Sequence, residues 1–145
     1  GEFEFIEHLR NYLKANREQF KNEEIFLLRN LSRRGIKFFQ RSGFYPDFIM
    51  WRKIKDKQIV AFVDPKGIRH VEDEKIQLHE NIKELEKTIG REDLKLESFI
   101  LSVSKFKDIK KTYAYSKKDK KELEQEHVLF MEDKEKAINK LFDML

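Results

Sequence analysis

An α/β fold, with a central mixed β-sheet flanked by α-helices, is predicted by three features of the chain. Two apolar, strand-forming runs, residues 43–51 and 58–67, flank a polar tip at Lys55-Asp56-Lys57, the pattern of a β-hairpin. After the second run comes a helical stripe and then a third apolar run, Phe99-Ile100-Leu101-Ser102-Val103. Strand, helix, strand is a crossover unit, which makes the third strand parallel to the one before it. The chain opens and closes with amphipathic stretches that can cover the sheet.

Taken in order, residues 5–16 place Phe5, Leu9, Tyr12 and Leu13 at helical spacing, with Asn16 as the stop. A second helix is predicted from about Asn22 through Glu24, Ile25, Leu27, Leu28 and Leu31, ended by Arg33-Arg34-Gly35. Residues 36–39 read as a short strand and 41–43 as a turn into the hairpin. A helix is expected over about 72–88, opened by Glu72, Asp73 and Glu74, striped by Leu78, Ile82, Leu85 and Ile89, and closed by Gly90. Residues 97–104 form the parallel strand, 127–131 one more strand, and 132–145 a final helix on Ala137, Ile138, Leu141 and Phe142.

At 145 residues the chain has the length of a single domain, 1–145, able to bury a real core. Charged residues make up 40% of it, yet thirteen phenylalanines exclude the aromatic-poor composition of a disordered segment. The net charge of +4 permits nucleic-acid binding without demonstrating it. The absence of cysteine excludes disulfides and thiolate zinc sites and points to a reducing, cytoplasmic setting. No apolar run reaches the roughly 20 residues a membrane span needs, and no glycine-rich Walker loop is present. The start Gly-Glu-Phe suggests an excised fragment, and Gly1 to Phe3 are set aside.

Chemistry concentrates where the hairpin ends. Folding about Lys55 and Asp56 sets Trp51 opposite Val60, Ile49 opposite Phe62 and Asp47 opposite Asp64. Lys66 falls on the same face as Asp64 because side chains alternate along a strand. Like charges directly opposed are destabilising, so the pairing makes sense if a cation sits between them. Pro65 lacks a ladder donor, which implies that regular pairing is ending at this point.

Pro46-Asp47 followed by Asp64-Pro65-Lys66 resembles the PD-(D/E)XK nuclease superfamily. The wider wording, Arg29-Asn30-Leu31-Ser32 through Gly43-Phe44-Tyr45-Pro46-Asp47-Phe48 to Asp64-Pro65-Lys66-Gly67, resembles the C-terminal nuclease domain of type III restriction subunits and related helicase-nucleases, over about residues 20–104. The resemblance implies a restriction-endonuclease-like core and Mg²⁺-dependent hydrolysis of DNA phosphodiesters, with Mn²⁺ able to substitute. It implies Asp47 and Asp64 as metal ligands, the Pro65 carbonyl as a further ligand, and Lys66 beside the attacking water. It also implies an ATP-dependent helicase or translocase domain outside this chain and a specificity or modification subunit as partners. Two alternatives stay open: a docking module with a degenerate site, and an RNA- or repair-directed nuclease of the same superfamily.

Further residues are candidates by position. Glu24 matches the family's acid on the helix before the hairpin, for catalysis and metal. Gln77 adjoins the inward stripe of the next helix, where some members keep a glutamine, although Asn81 stands where their aromatic partner would be. His70 is the one histidine expected near the site; the others, dispersed along the chain, show no paired ligand spacing. Arg33, Arg34, Arg41, Lys110, Lys111, Lys117 and Lys118 are candidate phosphate contacts, weighed against the solvated face that a lysine run usually is.

Overall fold

The computed structural model describes residues 1–30, 46–66, 78–111 and 117–145. The predicted strand at 36–39, its turn, Arg33, Arg34, Arg41, His70 and Gln77 lie outside the described residues.

Helix α1 (Glu2–Ala15) buries Phe5, Leu9 and Tyr12, one face at helical spacing. It stops where the sequence predicts: both the Asn16 backbone N–H and its side-chain amide donate to the Tyr12 carbonyl. A single turn, α2 (Arg17–Phe20), leads to β1 (Glu23–Arg29).

The helix expected from Asn22 is therefore a strand. Burial alternates along β1, Ile25 and Leu27 turning inward and Phe26 and Leu28 outward. A continuous run such as Ile25-Phe26-Leu27-Leu28 has no periodicity of its own to choose between the two. Its antiparallel pairing with β2 (Phe48–Ile54) decides. Arg52 of β2 clamps Glu23 through two hydrogen bonds of 2.7 and 2.8 Å, and its guanidinium lies 5.5 Å from the ring centroids of Phe20 and Phe142. A bidentate pair of this kind fixes strand register as well as adding stability.

β2 and β3 (Lys57–Lys66) form the predicted hairpin in the predicted register, with Ile49 opposite Phe62 and Trp51 opposite Val60. Lys55, at the tip, adopts φ +52°, the left-handed conformation that tight hairpin turns demand. Helix α3 (Leu78–Ile89) closes on Gly90 at φ +68°, and β4 (Leu94–Ser102) follows, parallel to β3. The short helices α4 (Phe106–Ile109) and α5 (Lys120–Gln125) precede β5 (Val128–Phe130), parallel to β4. A 3₁₀ turn (Met131–Asp133) and α6 (Glu135–Asp143) complete the chain. The described strands make one mixed five-stranded sheet in the order β1-β2-β3-β4-β5, flanked by helices, consistent with a restriction-endonuclease-like core.

The main core lies between the sheet and helices α1 and α6, around Phe5, Phe48, Met50, Val63, Phe99 and Leu101. A smaller core on the other side holds Ile49, Phe62, Ile82 and Leu96. In α3 the predicted apolar stripe is only partly used: Ile82 is buried, whereas Leu85 and Ile89 are exposed. The reason is polar. His79, Ile82, Lys83 and Glu86 share the face turned to β4, where Glu97 and the backbone N–H of Leu96 need partners. No helix among the described residues is long and apolar enough to cross a membrane.

Candidate functional site

The site predicted from the hairpin is built where β2 begins and β3 ends. The β2–β3 ladder stops at Phe48 opposite Val63, which leaves Asp47 and Asp64 as the next facing pair. On the other side of β2, the Asn30 N–H donates to the Asp47 carbonyl at 2.8 Å and holds that backbone in line with β1. Asp64 is 1% exposed, and its Oδ2 lies 3.3 Å from the Lys66 Nζ. Burial pushes the Asp47 carboxyl up to about 6; the charges of Asp64 and Glu2 act in the same direction, and Lys66 acts against them. Two facing carboxyls titrate as a coupled pair.

Pro65 occupies a position that spares its missing N–H. The Lys66 carbonyl accepts from the Val103 N–H, on the β4 side, so the Pro65 backbone faces the opposite side by alternation. There the β2 ladder has already ended, although pairing with β4 continues to Lys66 opposite Ser102. The predicted end of pairing is thus one-sided, and the Pro65 carbonyl looks toward the side that carries Asp47.

Glu24 is not brought to these acids. It stands on the exposed face of β1 opposite Lys53, near the hairpin tip, while the acids lie beyond the other end of the strand at Arg29. Five residue steps of strand run from Glu24 to Arg29, roughly 17 Å. The acid the fold supplies instead is Glu2, in the stretch the sequence reading set aside. Its carboxylate pairs with Arg29 at 2.6 Å and is close enough to raise Asp47. The signal was available: Glu2 precedes Phe5 by three residues and so shares the inward face of α1. Glu2→Gln is expected to lower the Asp47 pKa and to slow any metal-dependent reaction at this site by about tenfold, an effect of about 1.4 kcal/mol. A titration of Asp47 by NMR, run beside the rate measurement, checks both halves.

The lysine segment is only partly free to meet a ligand. Lys118 holds both carboxylate oxygens of Glu126 at 2.8 Å, and the Lys110 ammonium lies 5.5 Å from the Phe106 ring centroid. Lys111 and Lys117 are exposed.

A second polar group was missed. His79 and His127, which the sequence leaves dispersed and without ligand spacing, stack at 3.6 Å between ring centroids over Glu97. Together His79, Glu97 and His127 can hold a metal ion. No sequence signal could have joined residues so far apart, because α3, β4 and the approach to β5 bring one each.

Comparison with protein-family models, with curated proteins and with solved structures returns no match. The chain is therefore defined by its own fold and sites: a mixed α/β domain with an acid-acid-lysine group at the mouth of its central strands.

Proposed function

We propose that the protein is a divalent-metal-dependent phosphodiesterase that hydrolyses DNA, with Mg²⁺ as its ion and Mn²⁺ as a substitute. The observation that carries the reading is the convergence of Asp47, Asp64 and Lys66 at the end of the β2–β3 hairpin. The donor set fits a hard cation: two facing carboxyls, the charge of Asp64 helping to raise Asp47, and a backbone carbonyl on the same side. Asp47, Asp64 and the Pro65 carbonyl would hold the ion, with Glu2 adding negative charge behind Asp47. When bound, such an ion activates water and offsets the charge that develops on phosphate during displacement.

The chain's own residues then have separate tasks. The Lys66 ammonium, anchored 3.3 Å from Asp64, orients the attacking water or holds a phosphate oxygen. Arg29 fixes Glu2, and the Asn30–Asp47 backbone bond fixes the turn that carries the first acid. Lys111 and Lys117 lie free for backbone phosphates. A role as the nuclease module of a restriction or phage-defence helicase, with its motor and specificity partners elsewhere, rests on the sequence resemblance.

The test is nicking of supercoiled DNA at neutral pH with Mg²⁺ or Mn²⁺, with chelator as control. Cleavage that stops with chelator and falls by orders of magnitude in Lys66→Ala supports the proposal. Cleavage unchanged in Lys66→Ala overturns the site. DNA binding without cleavage at any metal concentration favours the docking module.

A further inference from the structure

β4 runs from Leu94 to Ser102, but β5 pairs only with Ile100–Ser102. Among the described residues, side chains meet the outer edge of β4 at Leu96 and Ser98 instead. The Leu96 N–H donates to Glu86 at 2.6 Å, and His127 Nδ1 lies 2.9 Å from the Ser98 carbonyl. Edge strands are commonly blunted in this manner, yet the cover here includes more than edge protection requires.

Glu97 has a side chain 4% exposed, and its two oxygens are treated differently. Oε1 is held by Lys83 at 2.7 Å, with Lys95 at 3.5 Å. Oε2 is buried without a hydrogen-bond partner and faces His79 Nδ1 at 3.6 Å and His127 Nδ1 at 3.7 Å. His79 Nδ1 is likewise buried without a hydrogen-bond partner. A buried carboxylate oxygen left without a hydrogen bond destabilises the folded state. Protonating an imidazole would relieve it. Burial, however, holds both histidines below their ordinary pKa, and in His127 the neighbouring His79 adds to the effect.

We propose that His79, Glu97 and His127 form a binding site for a zinc-class divalent transition metal, which ties α3 to the outer edge of the sheet. Two neutral imidazoles and one carboxylate are a zinc donor set, whereas Mg²⁺ takes oxygen ligands. One ligand atom from each residue lies within 4.8 Å of the other two. Four-coordinate zinc, with bonds of about 2.0–2.2 Å, spaces its ligands about 3.4 Å apart. The two imidazoles, stacked at 3.6 Å with their planes 28° apart, must turn out of that stack to aim both lone pairs at one ion. The His127 Nδ1–H bond to the Ser98 carbonyl leaves Nε2 with the lone pair, and a backbone carbonyl is a common orienting partner of metal-binding imidazoles. Lys83 and Lys95 oppose a cation here, but both approach Oε1, and Glu86 compensates Lys83 at 3.2 Å. His79 keeps 26% of its side chain exposed, so solvent reaches the group and water can complete the shell.

The site is separate from the acids at the hairpin mouth. Glu97 is level with Ala61 in the ladder, three residues before Asp64 along β3, roughly 10 Å. Calorimetric titration of metal-free protein with Zn²⁺ at pH 7.5, in excess Mg²⁺ to fill oxygen-rich sites, tests the proposal. One Zn²⁺ per chain is expected, with affinity reduced at least tenfold in His127→Gln and in Glu97→Gln, and kept in Asp64→Asn. The melting temperature of the wild type should rise with Zn²⁺, and that rise should shrink in His79→Gln. Co²⁺ should give the visible absorption of a four-coordinate ion in the wild type and in Asp64→Asn. No Zn²⁺ binding to the wild type, binding unaltered in all three substitutions at the cluster, or binding lost in Asp64→Asn alone overturns it.

Discussion

Asp64→Asn is expected to reduce metal-dependent DNA cleavage by at least roughly 10³-fold, a loss of about 4 kcal/mol of transition-state stabilisation. Asp64 is the most deeply buried member of the site and the one shared by its parts: its charge acts on Asp47, and it pairs with Lys66. Asparagine keeps the shape but turns one oxygen ligand into an N–H₂ group. It also removes the negative charge that anchors the Lys66 ammonium, so metal and water would both lose their place. Because the substitution is close to isosteric, the fold should survive, and circular dichroism checks that. Rates measured for wild type and Asp64→Asn over a Mg²⁺ titration separate a ligand from a bystander. If the variant recovers full activity at high Mg²⁺, Asp64 contributes affinity alone. A variant within tenfold of wild type throughout would remove Asp64 from the chemistry.

The second large effect is on stability, and it needs no substrate. In the folded protein Asp47 holds its proton up to about pH 6, whereas in the unfolded chain it releases it near 4. Between those values the folded state binds more protons than the unfolded one, so stability falls as pH rises through this window. The full shift corresponds to about 3 kcal/mol, and solvent screening of the half-exposed Asp47 brings it to about 1–2 kcal/mol. Asp47→Asn imitates the protonated acid. It should melt with the wild type at pH 4 and above it at pH 8, by about 3–6 °C without metal. A divalent cation that binds the folded state alone stabilises it by about 2.7 kcal/mol at a hundred times its dissociation constant, and Asp47→Asn should lose most of that gain. Melting curves at several pH values, with and without Mg²⁺ at constant ionic strength, measure both. An Asp47→Asn that melts below wild type at pH 8 without metal would make the carboxylate a structural group.

Much of this arrangement was legible in the residues because it rests on local rules. The hairpin register follows from the position of its polar tip: once Lys55 and Asp56 turn, alternation fixes Ile49 against Phe62 and brings Asp47 to Asp64. The same holds for the Asn16 stop of α1, Gly90 after α3, the crossover to a parallel β4, and the buried face of α6. Each is decided by neighbours a few residues apart. The second helix failed for the complementary reason. Ile25-Phe26-Leu27-Leu28 is apolar at every position, so its conformation is chosen by the partner strand and by the Arg52 clamp on Glu23. With that segment a strand, Glu24 falls on its exposed face opposite Lys53, away from the paired acids.

The composition and spacing of the chain determined by themselves a mixed α/β domain, a paired-acid hairpin mouth with its lysine, and the amphipathic helices that cover the sheet. Only tertiary structure decided that Glu2 stands behind Asp47, that α3 turns a polar face to β4, and that His79 and His127 meet over Glu97. The physical difference is the length of chain a rule must span. Strand alternation and helical period act over a few residues and are written in sequence. Burial of a charge beside groups dozens of residues away exists only once the sheet has brought their elements together, and it is burial that moves the Asp47 proton and leaves Glu97 Oε2 without a hydrogen-bond partner.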